Sequence, residues 1–445
     1  MYYHLGGWVY MFHELNERNC LCGKEHIFTS KVIIGKGAIN KLPLIIKEMC
    51  FKSAFIIADK NTYSAAGKSV VEILEKSGIK ADKYIFTEDI IEPDESNVGL
   101  AVMNFNPKCD VVIGVGSGVI NDISKIVANV SGKKYIIVGT APSMDGYASA
   151  TSSMTMEGLK ISLNSKCADV IIGDIDILCN APTKMMISGL GDMLAKYVSI
   201  CEWRISNLIN GEYYCENIAC LVRDSLKKCV DNAEGLLNKD EDAVKFVFEG
   251  LIICGAAMKF AGVSRPASGI EHYLSHIWDM RGVEFGTPVE LHGIQCAVGT
   301  LIAVKLYEKI KTITPERQKA LDYVKSFDFS AWGDELRGFL GKGATSMIAL
   351  EEKEQKYNLD SHQKRLNIII EKCDEILKII CEELPTFSEL EKLFNVIGLP
   401  KSIKDLGLDD KTLPMTFKSA KDIRDKYVLP RLCWDLGIID EIIGE

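Results

Sequence analysis

At 445 residues the chain exceeds what one ordinary core organises, so two domains are expected. Its 47% hydrophobic and 25% charged residues suit a globular protein, and a net charge of -9 without Lys/Arg runs argues against nucleic acid or an anionic membrane as partner. Fifteen cysteines, odd in number and irregular in spacing, point to reduced thiols in the cytoplasm, and no apolar run is long enough for membrane insertion.

Residues 1–30 read as an N-terminal extension. The first ten lack both a basic region and a sustained apolar core, so they do not read as a signal peptide, and a start at Met11 would leave them as a loose tail. Cys20-Leu-Cys22-Gly-Lys-Glu-His26 offers two thiols and an imidazole. A fourth zinc ligand is missing, and Cys-x-Cys on a strand points its side chains apart, so an entry loop is the expectation.

Over 31–180 short β-rich runs alternate with amphipathic stretches. Residues 31–35, 53–59, 110–116 and 134–139 are near-continuously apolar, as strands buried on both faces of a parallel sheet are. Helices are predicted over 68–77 and 120–130. The alternation implies a doubly wound, mostly parallel α/β domain. After Pro182 the strand signals stop, and 181–445 reads as an all-α domain, with helices over 191–205, 213–237, 243–261 and 363–381. Residues 325–360, rich in Gly and charge, are expected to be irregular surface connections.

The first chemistry-bearing motif is Gly116-Ser117-Gly118-Val-Ile-Asn121-Asp122, after a strand and opening a helix. Its glycines admit a pyrophosphate close to the backbone, and the helix start offers free N–H groups. Asn121 occupies the place of the third glycine of the usual fingerprint, and a plain tight turn is the competing reading. Asp59 ends an earlier strand, where a carboxylate accepts from a ribose diol and repels a 2′-phosphate, favouring NAD(H) over NADP(H). Thr140-Ala-Pro-Ser143-Met-Asp145-Gly-Tyr-Ala-Ser149 follows another strand; ligands of open α/β sheets sit at such carboxyl ends, though Asp145 also suits an ordinary turn.

Three of the seven histidines cluster in Ser264-Arg265-Pro-Ala-Ser-Gly-Ile-Glu-His272-Tyr-Leu-Ser-His276 and Leu291-His292-Gly293. Spacing alone pairs His272 with His276, four apart on a helix, as metal ligands. Asp192, behind Gly189 and Gly191, reads by itself as a helix N-cap or first-turn acid.

In order, these motifs resemble those of the metal-dependent, iron-containing-type alcohol dehydrogenase superfamily, and more closely its sn-glycerol-1-phosphate dehydrogenase subgroup. Gly189-Leu-Gly-Asp-Met-Leu-Ala-Lys196, Gly158-Leu-Lys160 followed by Asp174-Ile-Asp-Ile-Leu-Cys-Asn-Ala-Pro182, and Leu432-Cys-Trp-Asp-Leu-Gly-Ile438 fit as well. The resemblance covers roughly residues 30–310 and the C-terminal helices, and implies the two-domain, dehydroquinate synthase-like architecture. Glu202-Trp-Arg204 departs from it, with Glu where Asp is expected.

Carried over, the resemblance makes Asp192, His272 and His292 the metal ligands and turns His276 toward the substrate. Asp145 becomes a substrate carboxylate with a catalytic part, Asp192 also borders the substrate, and Gly116 to Asp122, Thr140 to Ser143 and Ser149 become cofactor contacts. One divalent ion is implied, zinc first, with nickel or iron suited to the same donors. The implied reaction is NAD(P)H-dependent reduction of dihydroxyacetone phosphate, a small phosphorylated ketone, to sn-glycerol 1-phosphate. Arg265 is the foremost candidate for its phosphate, with Lys160 second, although Arg265 equally suits a structural ion pair. A homo-oligomer is expected. Competing readings are a glycerol or other polyol dehydrogenase, a dehydroquinate-synthase-like lyase, and a nucleotide-binding module without catalysis.

Overall fold

Short apolar runs between glycines set the architecture of the first half of the chain. The computed structural model describes residues 3–5, 8–11, 20–156 and 159–443. Gly158, named above, lies outside them. In chain order the strands are β1 (Tyr3–Leu5), β2 (Trp8–Met11), β3 (Lys31–Gly35), β4 (Ser53–Asp59), β5 (Lys80–Phe86), β6 (Val111–Gly116), β7 (Lys134–Gly139), β8 (Thr151–Met156), β9 (Leu159–Asn164) and β10 (Val170–Asp174). One eight-stranded sheet has the order β1-β2-β3-β10-β7-β6-β4-β5, and β8 and β9 form a separate antiparallel pair.

The six strands from β3 to β5 in that order run parallel. All four runs singled out by sequence are among them, and β6, for instance, is buried at every position. Two were not legible. Lys80, Asp82 and Lys83 interrupt the apolar pattern of β5, which a sheet edge tolerates. In β10 only three apolar residues precede Gly173. At the other edge the first residues are no loose tail: β1 pairs antiparallel with β2, and β2 with β3.

The chain leaves β4 for β5 on one side and β6 for β7 on the other, so the strand order reverses between β4 and β6. Ligands of open α/β sheets settle beyond the carboxyl ends at such a reversal, and here those ends carry Asp59 and Gly116. The apolar core on one face joins Ile33, Ile56, Ile113, Val138 and Ile172 of five strands to Leu42, Ile46, Val70 and Leu74 of the flanking helices.

Beyond β10 every element is helical. Two compact units result, Met1–Met193 with Cys220–Val263 and Leu194–Ala219 with Ser264–Glu445. The change of element type near residue 180 therefore does not coincide with the division into units. Within the first unit Phe248, on the Glu241–Ala261 helix, lies over Gly139 and Gly173 of the paired strands β7 and β10; a Cβ on either glycine would come within 2.8 Å of its ring.

Residues 325–360 are helical, not irregular: Phe329–Leu340, Gly343–Glu354 and the start of Leu359–Glu371. Trp332, Leu336 and Leu340 fall at i, i+4 and i+8 and pack with Ile277, Met347 and Ile348 in a core of the second unit. Gly333 and Gly338 sit inside a helix rather than in turns, while Gly341, at φ 58°, does end one. The helix expected over 363–381 breaks at Lys372 into Leu359–Glu371 and Cys373–Glu383.

Candidate active site

In the first unit the glycine turn after β6 leads directly into the Gly118–Val130 helix. Ser117 is its N-cap, but no Ser117 side-chain bond covers the first-turn N–H groups. Its hydroxyl instead meets the Ser143 hydroxyl and accepts from Tyr147 Oη at 3.1 Å. Free first-turn donors at a helix start are what a pyrophosphate requires.

Residues 140–149 are knitted to that turn. The Thr140 amide donates to the Gly116 carbonyl at 3.1 Å, and Lys125 Nζ and Asn121 Nδ2 donate to the Gly146 carbonyl at 2.6 and 3.1 Å. Asn121, fully buried, also accepts from Tyr135 Oη at 3.1 Å. A side chain is thus used where the usual fingerprint has glycine, and it braces the neighbouring loop. Asp122 accepts from the Ser153 amide at 3.2 Å and lies 3.5 Å from Lys125 Nζ, its carboxyl pushed up by burial. Ser149 shares a hydrogen bond with Thr151 at 2.9 Å. At the end of β4, Asp59 Oδ1 accepts from the Asn61 and Thr62 amides at 2.7 and 2.9 Å as a helix cap.

Asp192 is no N-cap. The Thr183–Asn210 helix begins nine residues earlier, and Asp192 is completely buried within it. Gly189 is there for close approach: a Cβ would stand 1.8 Å from the Pro142 carbonyl oxygen. With Ser188 Oγ donating to the Ser143 carbonyl at 3.1 Å, the 140–149 loop rests on this helix. The contact brings the Asp145 amide to 2.9 Å from Asp192 Oδ2.

In the second unit His272 and His276 lie on the Ile270–Phe285 helix, and His292 opens the His292–Ile310 helix. The His272 and His292 ring centroids are 5.0 Å apart, and the His276 ring stacks on His292 at 6.1 Å. His272 Nδ1 is 2.9 Å from Glu271 Oε1, and Ser275 Oγ is 3.2 Å from His292 Nδ1. A carboxylate on Nδ1 holds the proton there and turns the Nε2 lone pair outward, the arrangement of a metal-binding histidine. The two helices touch at Gly299, whose Cβ would lie 2.8 Å from the Glu271 carbonyl oxygen.

Sequence reasoning missed Glu271, Ser275 and Cys296. The first two flank His272 and His276 in the quoted motif, and Cys296 stands one helical turn after His292. Cys296 Sγ is 3.5 Å from His292 Nε2 and completes a group of three donors within 4.8 Å of one another with His272 and His292. Burial raises its thiol, but the two histidines beside it bring the balance below the usual value. Glu202, which departs from the family pattern, accepts from the Ile270 and Leu429 amides at 2.8 and 2.7 Å. Burial, with Glu271 nearby, pushes its carboxyl up to about 8.

Arg265 is buried and bonded at every nitrogen. Nε and Nη2 reach Glu212 at 2.7 and 2.6 Å, Nη1 reaches the Tyr427 carbonyl at 2.9 Å, and Nη2 also meets Ser206 Oγ at 3.2 Å. This geometry supports the ion-pair reading of Arg265 over the phosphate one. Lys160 lies partly exposed on β9.

The crystal structure of glycerol dehydrogenase from Schizosaccharomyces pombe matches with a TM-score of 0.61 at 17% identity, covering 96% of this chain and 92% of that one. An iron-containing alcohol dehydrogenase from Thermotoga maritima gives 0.59 at 15%, covering 95% and 99%. Such identities establish a shared fold, that of the iron-containing alcohol dehydrogenases, and the family described as iron-containing alcohol dehydrogenase also matches by sequence over residues 33–182.

Sequence relatives narrow this. Glycerol-1-phosphate dehydrogenase [NAD(P)+] of Bacillus velezensis is 34% identical over 65% of this chain and 76% of its own length, and that of Pyrococcus furiosus 33% over 63% and 79%. The Halalkalibacterium halodurans protein of the same name is 29% identical over 92% and 94%. The chain belongs to this glycerol-1-phosphate dehydrogenase family of NAD(P)-dependent oxidoreductases.

Proposed function

We propose that the chain reversibly reduces dihydroxyacetone phosphate to sn-glycerol 1-phosphate, with Asp192, His272 and His292 as the ligands of one divalent metal. The observation that carries the reading is the Glu271–His272 and Ser275–His292 pairing, which prepares two imidazoles as donors in one helical pair. One carboxylate with two imidazoles suits zinc, nickel or iron, and zinc is our choice. When bound, such an ion supplies Lewis-acid stabilisation of charge developing on the ketone oxygen, and NAD(P)H supplies the hydride.

The chain's own residues do the rest. Open amides at the start of the Gly118–Val130 helix receive the pyrophosphate, with Ser117, Thr140, Ser143 and Ser149 lining the same loops. Asp59 retains a second carboxylate oxygen for a ribose diol and opposes a 2′-phosphate, favouring NADH over NADPH. Asp145 and His276 pass the proton to the product oxygen through water. Lys160 takes the substrate phosphate, since Glu212 holds Arg265.

No helix among the described residues is long and apolar enough to cross a membrane, and none of the fifteen cysteines is joined in a disulfide, in keeping with a reducing cytoplasm. A homo-oligomer belongs to the proposal and is tested by sedimentation.

The function test is elemental analysis coupled to NADH oxidation, with dihydroxyacetone phosphate against dihydroxyacetone. We expect at least one metal per chain, strong preference for the phosphorylated ketone, and loss of about one metal per chain together with turnover in His292→Ala. Equal turnover of the two ketones would move the chain to the polyol dehydrogenases, and a His292→Ala protein with full activity would remove the ligand assignment.

A further inference from the structure

Cys20, Cys22 and His26 belong to none of the machinery above. The expectation that Cys-x-Cys spreads its thiols assumes a strand, and the chain here is a turn: the Gly23 amide donates to the Cys20 carbonyl at 2.9 Å, with Gly23 at φ 80°. A turn folds its first and third residues onto one side. Cys22 Sγ accordingly lies 3.3 Å from His26 Nε2, and Cys20, Cys22 and His26 each place a ligand atom within 4.8 Å of the other two.

Around a tetrahedral zinc, bonds of about 2.3 Å to sulfur and 2.0 Å to nitrogen set donors roughly 3.5–3.8 Å apart. The ligand atoms of the trio lie within 4.8 Å of one another, and Cys22 Sγ and His26 Nε2 are 3.3 Å apart, a span that brackets this spacing. Cys20 and His26 are buried while Leu21 between the thiols is wholly exposed, so apolar burial at the tip is not what closes this turn. The His26 ring rests on Phe260 with centroids 5.4 Å apart, and Phe28 meets the same ring edge-on at 6.5 Å, which fixes the imidazole's orientation.

We propose that Cys20, Cys22 and His26 bind a structural zinc ion that anchors the segment entering β3, separate from the catalytic metal. Binding releases two thiol protons to solvent and involves no redox change. Two thiolates and one imidazole fill three tetrahedral positions, and a further donor takes the fourth.

Metal is counted by mass spectrometry in protein purified from zinc-supplemented medium, with and without His292→Ala, each combined with Cys20→Ser and Cys22→Ser. The serine pair should remove about one zinc per chain in both backgrounds. In cobalt-substituted protein the near-ultraviolet thiolate-to-metal band should survive His292→Ala and vanish with the serine pair, and X-ray absorption should return at least two sulfurs per zinc at this site. Unchanged zinc in the serine pair, or fewer than two sulfurs in the His292→Ala protein, overturns the site. Should the serine pair fail to fold, alkylation of Cys22 in the unaltered chain decides: slow labelling that a chelator accelerates supports the proposal, and equal rates with and without chelator refute it.

Discussion

Gly299→Ala tests how the two histidine-bearing helices set their spacing. The added methyl would meet the Glu271 carbonyl oxygen at 2.8 Å, its Cα at 2.9 Å and its carbonyl carbon at 3.2 Å, all backbone and unable to rotate aside. Restoring ordinary contact separates the helices by about 0.5 Å or more. Overpacking of this kind costs about 1–3 kcal/mol, and alanine in place of a helical glycine returns about 1 kcal/mol. The chain should therefore melt only slightly below the parent. Metal sites hold their ligands to within about 0.2 Å, and His272 follows Glu271 directly, so metal affinity by chelator competition should fall at least tenfold. Gly338→Ala is the control: no atom lies within 4 Å of its Cβ position on an exposed helix face. It should stabilise by up to about 1 kcal/mol and leave metal affinity alone. A Gly299→Ala protein with parental metal affinity would refute the reasoning.

Glu271→Ala removes the acceptor of the His272 Nδ1 proton and should weaken metal binding about 10- to 100-fold, with Glu271→Gln, which keeps an acceptor oxygen, recovering part of it; equal affinities in all three proteins would contradict that role. Glu249, buried on the Glu241–Ala261 helix with Lys245 Nζ at 3.8 Å, has its carboxyl pushed up to about 7 by burial. An acid raised on folding gives stability present below its unfolded pKa and lost as pH climbs to the folded one, so Glu249→Gln should stabilise by on the order of 3 kcal/mol near pH 8 and by nothing near pH 4. Melting curves across that range check it, and a pH-independent difference would refute it. Asp59→Gly should narrow the gap between KM for NADH and for NADPH at least tenfold, and an unchanged ratio would exclude Asp59 from the ribose site.

The parallel strands were legible because burial on both faces writes an uninterrupted apolar run, as in the 111–116 segment. The Lys80–Phe86 strand was not, because an edge needs no such run and its charges face water. Residues 325–360 failed differently: glycine was taken as punctuation, yet Gly333 and Gly338 are helical, and the i, i+4, i+8 rhythm of Trp332, Leu336 and Leu340 carried the signal. At the site, motif order pointed to Asp192, His272 and His292, the ligands proposed above, and spacing alone to His272 with His276. What no motif held was the hydrogen-bonding environment: Glu271 on His272, Glu212 on Arg265, and Asn121 turned inward to brace Gly146.

The discontinuity of the first unit has a consequence for how the protein is made. Its sheet is fully synthesised by residue 174, but the ring that covers Gly139 and Gly173 belongs to Phe248. A ribosome must therefore deliver some seventy more amino acids before that half can finish its interior. A truncated gene ending at residue 193 should yield aggregating material, and one ending past 263 is the shortest that supplies every piece of the first unit.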